Sequence, residues 1–285
     1  MQTVALPGGR IAYDSAGDGP VVVFNHASLT DRRMWRRQFD AFADRYRVVA
    51  FDRLGYGQSS AAPPETRHGV GLLEVLDALG IERAALVGSS MGGGYCLDAA
   101  LLAPDRVWAL AVICPGIPGY EWPPDMRSEV LPLLHDAVPA DLLSAYAAHT
   151  ADEIRDDDVN AMATMQLRYM AVGAGRSESV FRPEAWALLQ DMARGVFRRD
   201  WAEPPSTEVA PDPPILNRLA DVRAPTLVVN GLCDVRFIQD LARLAASGIP
   251  GAQLVELPDA GHLPPVECPD VVNTALATFL ANAWS

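Results

Sequence analysis

Short, uninterrupted apolar runs alternate with longer stretches of helical periodicity over the first part of the chain. Val21-Val22-Val23-Phe24, Val48-Val49-Ala50-Phe51, Ala84-Ala85-Leu86-Val87 and Leu110-Ala111-Val112-Ile113 lack polar alternation, which predicts strands covered on both faces. Between them, Met34 to Arg45, Glu74 to Gly80 and Met91 to Ala103 place apolar residues at the spacing of amphipathic helices. Weaker strands are expected at Thr3 to Leu6 and Arg10 to Asp14, on either side of a Pro7-Gly8-Gly9 turn. Alternation of this kind predicts an α/β fold with a mostly parallel central sheet flanked by helices.

The rhythm then breaks. From about Gly116 to Pro214 the pattern is helical, closed at one end by Pro115-Gly116 and at the other by Pro204-Pro205 and Pro211-Asp212-Pro213-Pro214. It resumes with a strand at Thr226 to Val229, a helix from about Phe237 to Ala246, a strand at Gln253 to Leu257 and a helix from about Val271 to Ala283. The expected organisation is one core domain in two parts, residues 1–115 and 215–285, with a helical cap inserted at 116–214. A chain of 285 residues is long enough for one such domain and too short for two of equal rank.

Composition narrows the function. Hydrophobic residues at 49% and charged residues at 21% suit a globular protein rather than a disordered one. A net charge of −13 opposes nucleic acid and acidic membranes, which recruit basic side chains. No apolar stretch approaches the roughly 18 residues of a membrane span, and Met1 to Gly9 lacks the form of a signal peptide, so a cytoplasmic protein is expected. The cysteines Cys96, Cys114, Cys233 and Cys268 are scattered without metal-ligand spacing, so free thiols and no metal are expected.

The sharpest local signal is Gly88-Ser89-Ser90-Met91-Gly92, a Gly-x-Ser-x-Gly pattern running from a predicted strand into a predicted helix. At such a turn the serine backbone is strained and the flanking glycines permit close backbone approach, which leaves the Ser90 hydroxyl at the carboxyl end of the sheet. A serine hydroxyl is a weak nucleophile near neutral pH and needs a base, which in turn needs orienting. His262 is the sole histidine beyond His149 and follows the last predicted strand, in Asp259-Ala260-Gly261-His262. Asp234 follows the strand that ends at Val229-Asn230-Gly231, with Asp221, Asp240 and Asp259 as rival carboxylates. The order Ser90, Asp234, His262 is that of α/β-hydrolases.

Over essentially its full length the chain resembles the α/β-hydrolase superfamily, in its capped branch of esterases, lactonases and carbon–carbon hydrolases. Besides the three loops above, Asn25-His26-Ala27-Ser28 through Asp31 and Trp35 is similar to the family's first oxyanion segment, and Asp52-Arg53-Leu54-Gly55-Tyr56-Gly57-Gln58-Ser59 resembles its Asp-Arg-x-Gly-x-Gly-x-Ser turn. The resemblance implies an oxyanion hole made by the backbone N–H groups of Met91 and Ser28, a shaping role for His26, and no cofactor. Ala27 departs from the family's usual glycine. Relatives that open epoxides or remove halide use a carboxylate nucleophile, which Ser90 is not.

The implied activity is hydrolysis of a carboxylic ester or lactone of a small, mostly neutral and apolar molecule through an acyl-serine intermediate. Carbon–carbon bond hydrolysis, cofactor-free perhydrolysis and hormone-like ligand binding on the same scaffold are the alternatives. Within the insertion, Trp122, Tyr146 and Tyr169 are expected to contact substrate. Its 17 acidic residues against 8 arginines should turn away polyanionic substrates such as coenzyme A thioesters.

Overall fold

The computed structural model describes residues 1–284. Its strands are β1 (Gln2–Leu6), β2 (Gly9–Ala16), β3 (Val21–Asn25), β4 (Arg47–Phe51), β5 (Glu65–Thr66), β6 (Ala84–Ser89), β7 (Val107–Ile113), β8 (Thr207–Glu208), β9 (Thr226–Gly231) and β10 (Gln253–Leu257). Eight of them form the central sheet in the order β1-β2-β4-β3-β6-β7-β9-β10. β1 and β2 run antiparallel at one edge, and the strands from β4 to β10 are parallel.

The apolar runs sit where two-sided burial demands them. Every residue of β6 and β7 is buried, because helices cover both faces of the sheet centre. The covering helices of the first half are α1 (Arg36–Phe42), α2 (His68–Ala78) and α3 (Met91–Leu102). The helix expected from Met34 to Arg45 is instead a 3₁₀ turn, Arg32–Trp35, followed by α1. Asp31 caps that turn by accepting from the Arg33 N–H at 2.9 Å.

α2 begins at His68, six residues before the expected Glu74. Gly69 explains both the helix and its weak signal: a Cβ there would lie 2.2 Å from Asp98 Oδ2, so glycine lets α2 press onto α3, while glycine is a poor helix former. Arg67 clamps the contact by donating from Nε and a terminal nitrogen to the two oxygens of Asp98, at 3.0 and 2.8 Å.

After β7 the chain leaves the sheet for α4 (Pro124–Ala137), α5 (Ala140–Ala147), α6 (Asp156–Leu167) and α7 (Pro183–Ala202). These helices enclose a small core of their own around Val138, Tyr146, Val159, Met162 and Trp201. The segment is not purely helical, as was expected of 116–214: β8 pairs in parallel with β5 of the core. Strands of two residues carry no readable periodicity. The chain returns through β9, α8 (Arg236–Gly248), β10, α9 (Pro264–Glu267) and α10 (Pro269–Trp284). No described helix is long and apolar enough to cross a membrane.

Successive connections run one way from β3 to β4 and the other way from β6 onward, so the order reverses between β3 and β6. Ser28 follows β3 and Ser90 follows β6, which puts both at the carboxyl-end crevice where open α/β sheets bind ligands.

Candidate active site

Ser90 occupies one residue between β6 and α3, with φ 54° and ψ −131°. A non-glycine residue with positive φ costs energy, and here the surroundings hold it. The Ser90 N–H donates to Ile113 O at 2.9 Å and the Ser90 carbonyl accepts from the Gly93 N–H at 2.8 Å. The neighbouring glycines are required by contact rather than by their own torsions. A Cβ on Gly88 would lie 2.3 Å from Gly92 O, and one on Gly92 would lie 2.4 Å from both Asn25 O and His26 O. The turn is thereby pressed against the loop that carries Ser28.

The structure brings Ser90, His262 and Asp234 together. His262 Nε2 lies 2.8 Å from Ser90 Oγ, and His262 Nδ1 lies 2.7 Å from Asp234 Oδ2. Oδ1 of Asp234 accepts from the Val235 N–H at 2.7 Å, which fixes the plane of the carboxylate. The Asp234 and His262 loops are tied by the Cys233 N–H donating to Ala260 O at 2.9 Å. Of the rival carboxylates, Asp221 pairs with Arg218 and Asp240 with Arg243, while Asp259 is exposed. Ser90, Asp234 and His262 are 7%, 6% and 4% exposed, so the three sit in a nearly closed space.

The loop after β3 is held from behind by Arg53. Its guanidinium donates to Asn25 Oδ1 at 3.0 Å, to His26 O and to Ala27 O. His26 is buried and structural: its Nδ1 lies 2.7 Å from Ala27 O and its Nε2 accepts from the Arg53 N–H at 3.2 Å. Burial, with the charge of Arg53 beside it, pushes the His26 pKa well below the usual histidine value, so the ring is neutral at pH 7. Ala27 keeps a negative φ, so the methyl that replaces the family's glycine introduces no backbone strain. The Asp52–Ser59 turn is structural too. Asp52 accepts from the N–H groups of Arg32 and Gln58, both at 2.8 Å, and Gly57 at φ 49° passes so close that a Cβ would strike the carboxylate.

Two cavities reach residues of the site, one at Met91 next to Ser90 and the other at Asp234. One, of about 250 Å³, is bounded by Ser28 and Met91 and reaches Tyr56, His68, Tyr95 and Glu208. The other, of about 550 Å³, runs past Asp234, Tyr169, Met126 and Phe237. Among the described residues no group of three or more His, Cys, Asp or Glu side chains is placed to hold a metal.

The aromatic residues expected to meet substrate divide three ways. Tyr169 lines the larger cavity and donates to Glu129 Oε2 at 3.3 Å. Trp122 stands behind that cavity, edge-on to Tyr120 and to Phe237. Tyr146 does not face either cavity: it is fully buried, stacks on Trp201 at 4.4 Å, and donates to Asp158 Oδ2 at 2.6 Å. An aromatic ring in a helical layer that needs its own core is drawn inward, and a buried hydroxyl must find an acceptor. The residues that do border the smaller cavity, Tyr56, His68, Tyr95 and Glu208, come from four separate stretches of chain and give no common signal in the sequence.

A family model described as alpha/beta hydrolase fold matches residues 20–269. The chain belongs to that family. It is 29% identical over 283 residues to a 2-hydroxy-6-oxo-6-phenylhexa-2,4-dienoate hydrolase of Burkholderia cepacia, covering 96% of this chain and 92% of the relative. It is 27% identical over 270 residues to the carboxylesterase YbfK of Bacillus subtilis (strain 168), covering 93% and 81%. Among solved structures, Est816, described as an N-acyl homoserine lactone degrading enzyme, superposes with a TM-score of 0.70 at 27% identity and covers 98% of this hydrolase's chain and 100% of its own.

Proposed function

We propose that the protein hydrolyses a carboxylic ester or lactone through an acyl-serine intermediate. One observation carries the reading: a continuous Ser90–His262–Asp234 hydrogen-bond chain stands beside a cavity that Ser28 and Met91 border. Ser90 Oγ attacks the carbonyl carbon while His262 Nε2 takes its proton. Asp234 holds the Nδ1–H and stabilises the imidazolium that forms. The backbone N–H groups of Met91 and Ser28 receive the negative oxygen, and removing one such donor in related chemistry costs on the order of 3–4 kcal/mol. His262 returns the proton to the leaving alcohol, then activates the water that releases the acid.

The segment 116–214 acts as the cap. Gly173, at φ 83°, lies so near the Asp234 loop that a Cβ would be 2.3 Å from Cys233 O, and a Cβ on Gly261 would be 2.6 Å from Ala171 O. The end of the inserted helices is thereby seated on the loops of Asp234 and His262, and closure there shields the site from bulk solvent while leaving room for the hydrolytic water. The carboxylesterase and lactone-degrading relatives favour this substrate class. The Burkholderia cepacia relative favours a second reading, in which the same serine and histidine cleave a carbon–carbon bond next to a ketone.

A hydrolysis panel of aryl esters, lactones and vinylogous diketones, with Ser90→Ala beside each, tests the reading. The expected result is turnover of at least one ester or lactone that falls by 10³-fold or more in Ser90→Ala. Cleavage of diketones alone would transfer the conclusion to the second reading.

A further inference from the structure

The smaller cavity has a chemical bias of its own. At about 250 Å³ it is below the roughly 300–1,000 Å³ of sites that enclose a whole ligand, so it suits one end of a substrate whose carbonyl lies at Ser28 and Met91. Its carboxylates are Asp200, Glu203 and Glu208, against a single lining cation, Arg199. Arg199 commits four of its five N–H donors: it donates to both oxygens of Glu203, at 2.7 and 3.1 Å, and to the carbonyls of Gly57 and Ser59, at 3.0 and 2.9 Å.

Glu208 and Asp200 are engaged far less. Glu208 Oε2 accepts from the Tyr95 hydroxyl at 3.1 Å, and Asp200 forms no ion pair among the described residues. His68 brings no charge, because burial pushes its pKa down to about 3. Arg53 stays outside the cavity lining, behind the rings of Tyr56 and Tyr95 at 4.5 and 5.1 Å, with its terminal nitrogens turned to Asn25 and the loop carbonyls and its Nε without a partner. Asp200 and Glu208 are exposed at the mouth of the cavity, so a carboxylate entering here would meet three carboxylates and no lining cation without a carboxylate partner, while a hydroxyl or ammonium would find acceptor oxygens.

We propose that this cavity receives the end of the substrate remote from the reacting carbonyl and selects a hydrogen-bond-donating group there, a hydroxyl or an ammonium, over a carboxylate. The proposal rests on the Ser90 reading for the position of the carbonyl, and on the cavity lining alone for the preference.

Two measurements test it. The first compares kcat/KM of the wild type for p-nitrophenyl esters of heptanoic, 6-hydroxyhexanoic, 6-aminohexanoic and adipic acids, whose chains differ at the far end. The second titrates Ser90→Ala calorimetrically with methyl ketones of equal length ending in ammonium or carboxylate, which reads the preference without hydrolysis. The ammonium and hydroxyl compounds should exceed the carboxylate by at least tenfold in both. That ratio should fall below threefold in an Asp200→Asn, Glu208→Gln double variant. A ratio below threefold in the wild-type pocket, or one undiminished in the double variant, overturns the proposal. Ester turnover that survives in Ser90→Ala would instead overturn the nucleophile, and the ketone titration would still decide the preference.

Discussion

Asp234 divides its two carboxylate oxygens between partners, Oδ1 accepting from the Val235 N–H and Oδ2 facing His262 Nδ1. In Asp234→Asn the amide oxygen should keep the Val235 bond and turn the NH₂ toward His262. Nδ1 would then have to accept, leaving the ring proton on Nε2, where it blocks removal of the Ser90 proton. We expect kcat to fall about 10⁴-fold, as in a comparable triad, with little change in melting temperature. Retention of a tenth of the wild-type kcat would contradict this role. Ser90, Asp234 and His262 were legible because each follows a readable strand in a fixed order, Ser90 and Asp234 after the buried β6 and β9 and His262 after β10. Tyr146 misled because an aromatic in an inserted helix reads the same whether it faces a ligand or its own core. Tyr95 and Glu208 were illegible for another reason: they meet across 113 residues of chain.

At the scale of elements, the turn from β6 into α3 and the loop after β3 behave as one unit, because Gly92 leaves no space between them. Gly92→Ala should therefore push away the loop that bears Ser28 rather than merely stiffen α3. The expected outcome is at least a 100-fold loss of kcat/KM with a destabilisation of about 1–3 kcal/mol, the range for overpacking, read from esterase assays and urea unfolding. Normal activity in this variant would show that the loop yields without consequence. The buried strands were readable from apolar runs alone. The start of α2 was not, because Gly69 and Gly71 lower helix propensity where close packing on α3 overrides it, and the β5–β8 pair was not, because its strands are two residues long.

For the whole molecule, two neutral histidines couple stability to pH. Burial, aided by Arg53, pushes His68 down to about 3 and His26 well below its ordinary value. Unfolding returns both to about 6.5, so below that pH the unfolded chain binds more protons than the folded one, and stability falls as pH drops from 6.5 toward 3. The urea midpoint should decline between pH 7 and pH 5, above the range in which most carboxylates titrate, and decline less in His68→Gln. An equal decline in that variant would remove His68 from the account. The central claim, that Ser90 is the nucleophile, is tested most directly by intact-mass analysis and peptide mapping after reaction with a serine-directed fluorophosphonate. The account predicts a single adduct per chain, on Ser90 and not on Ser89, abolished by His262→Ala; an unmodified chain, or an adduct on another residue with Ser90 untouched, would contradict it.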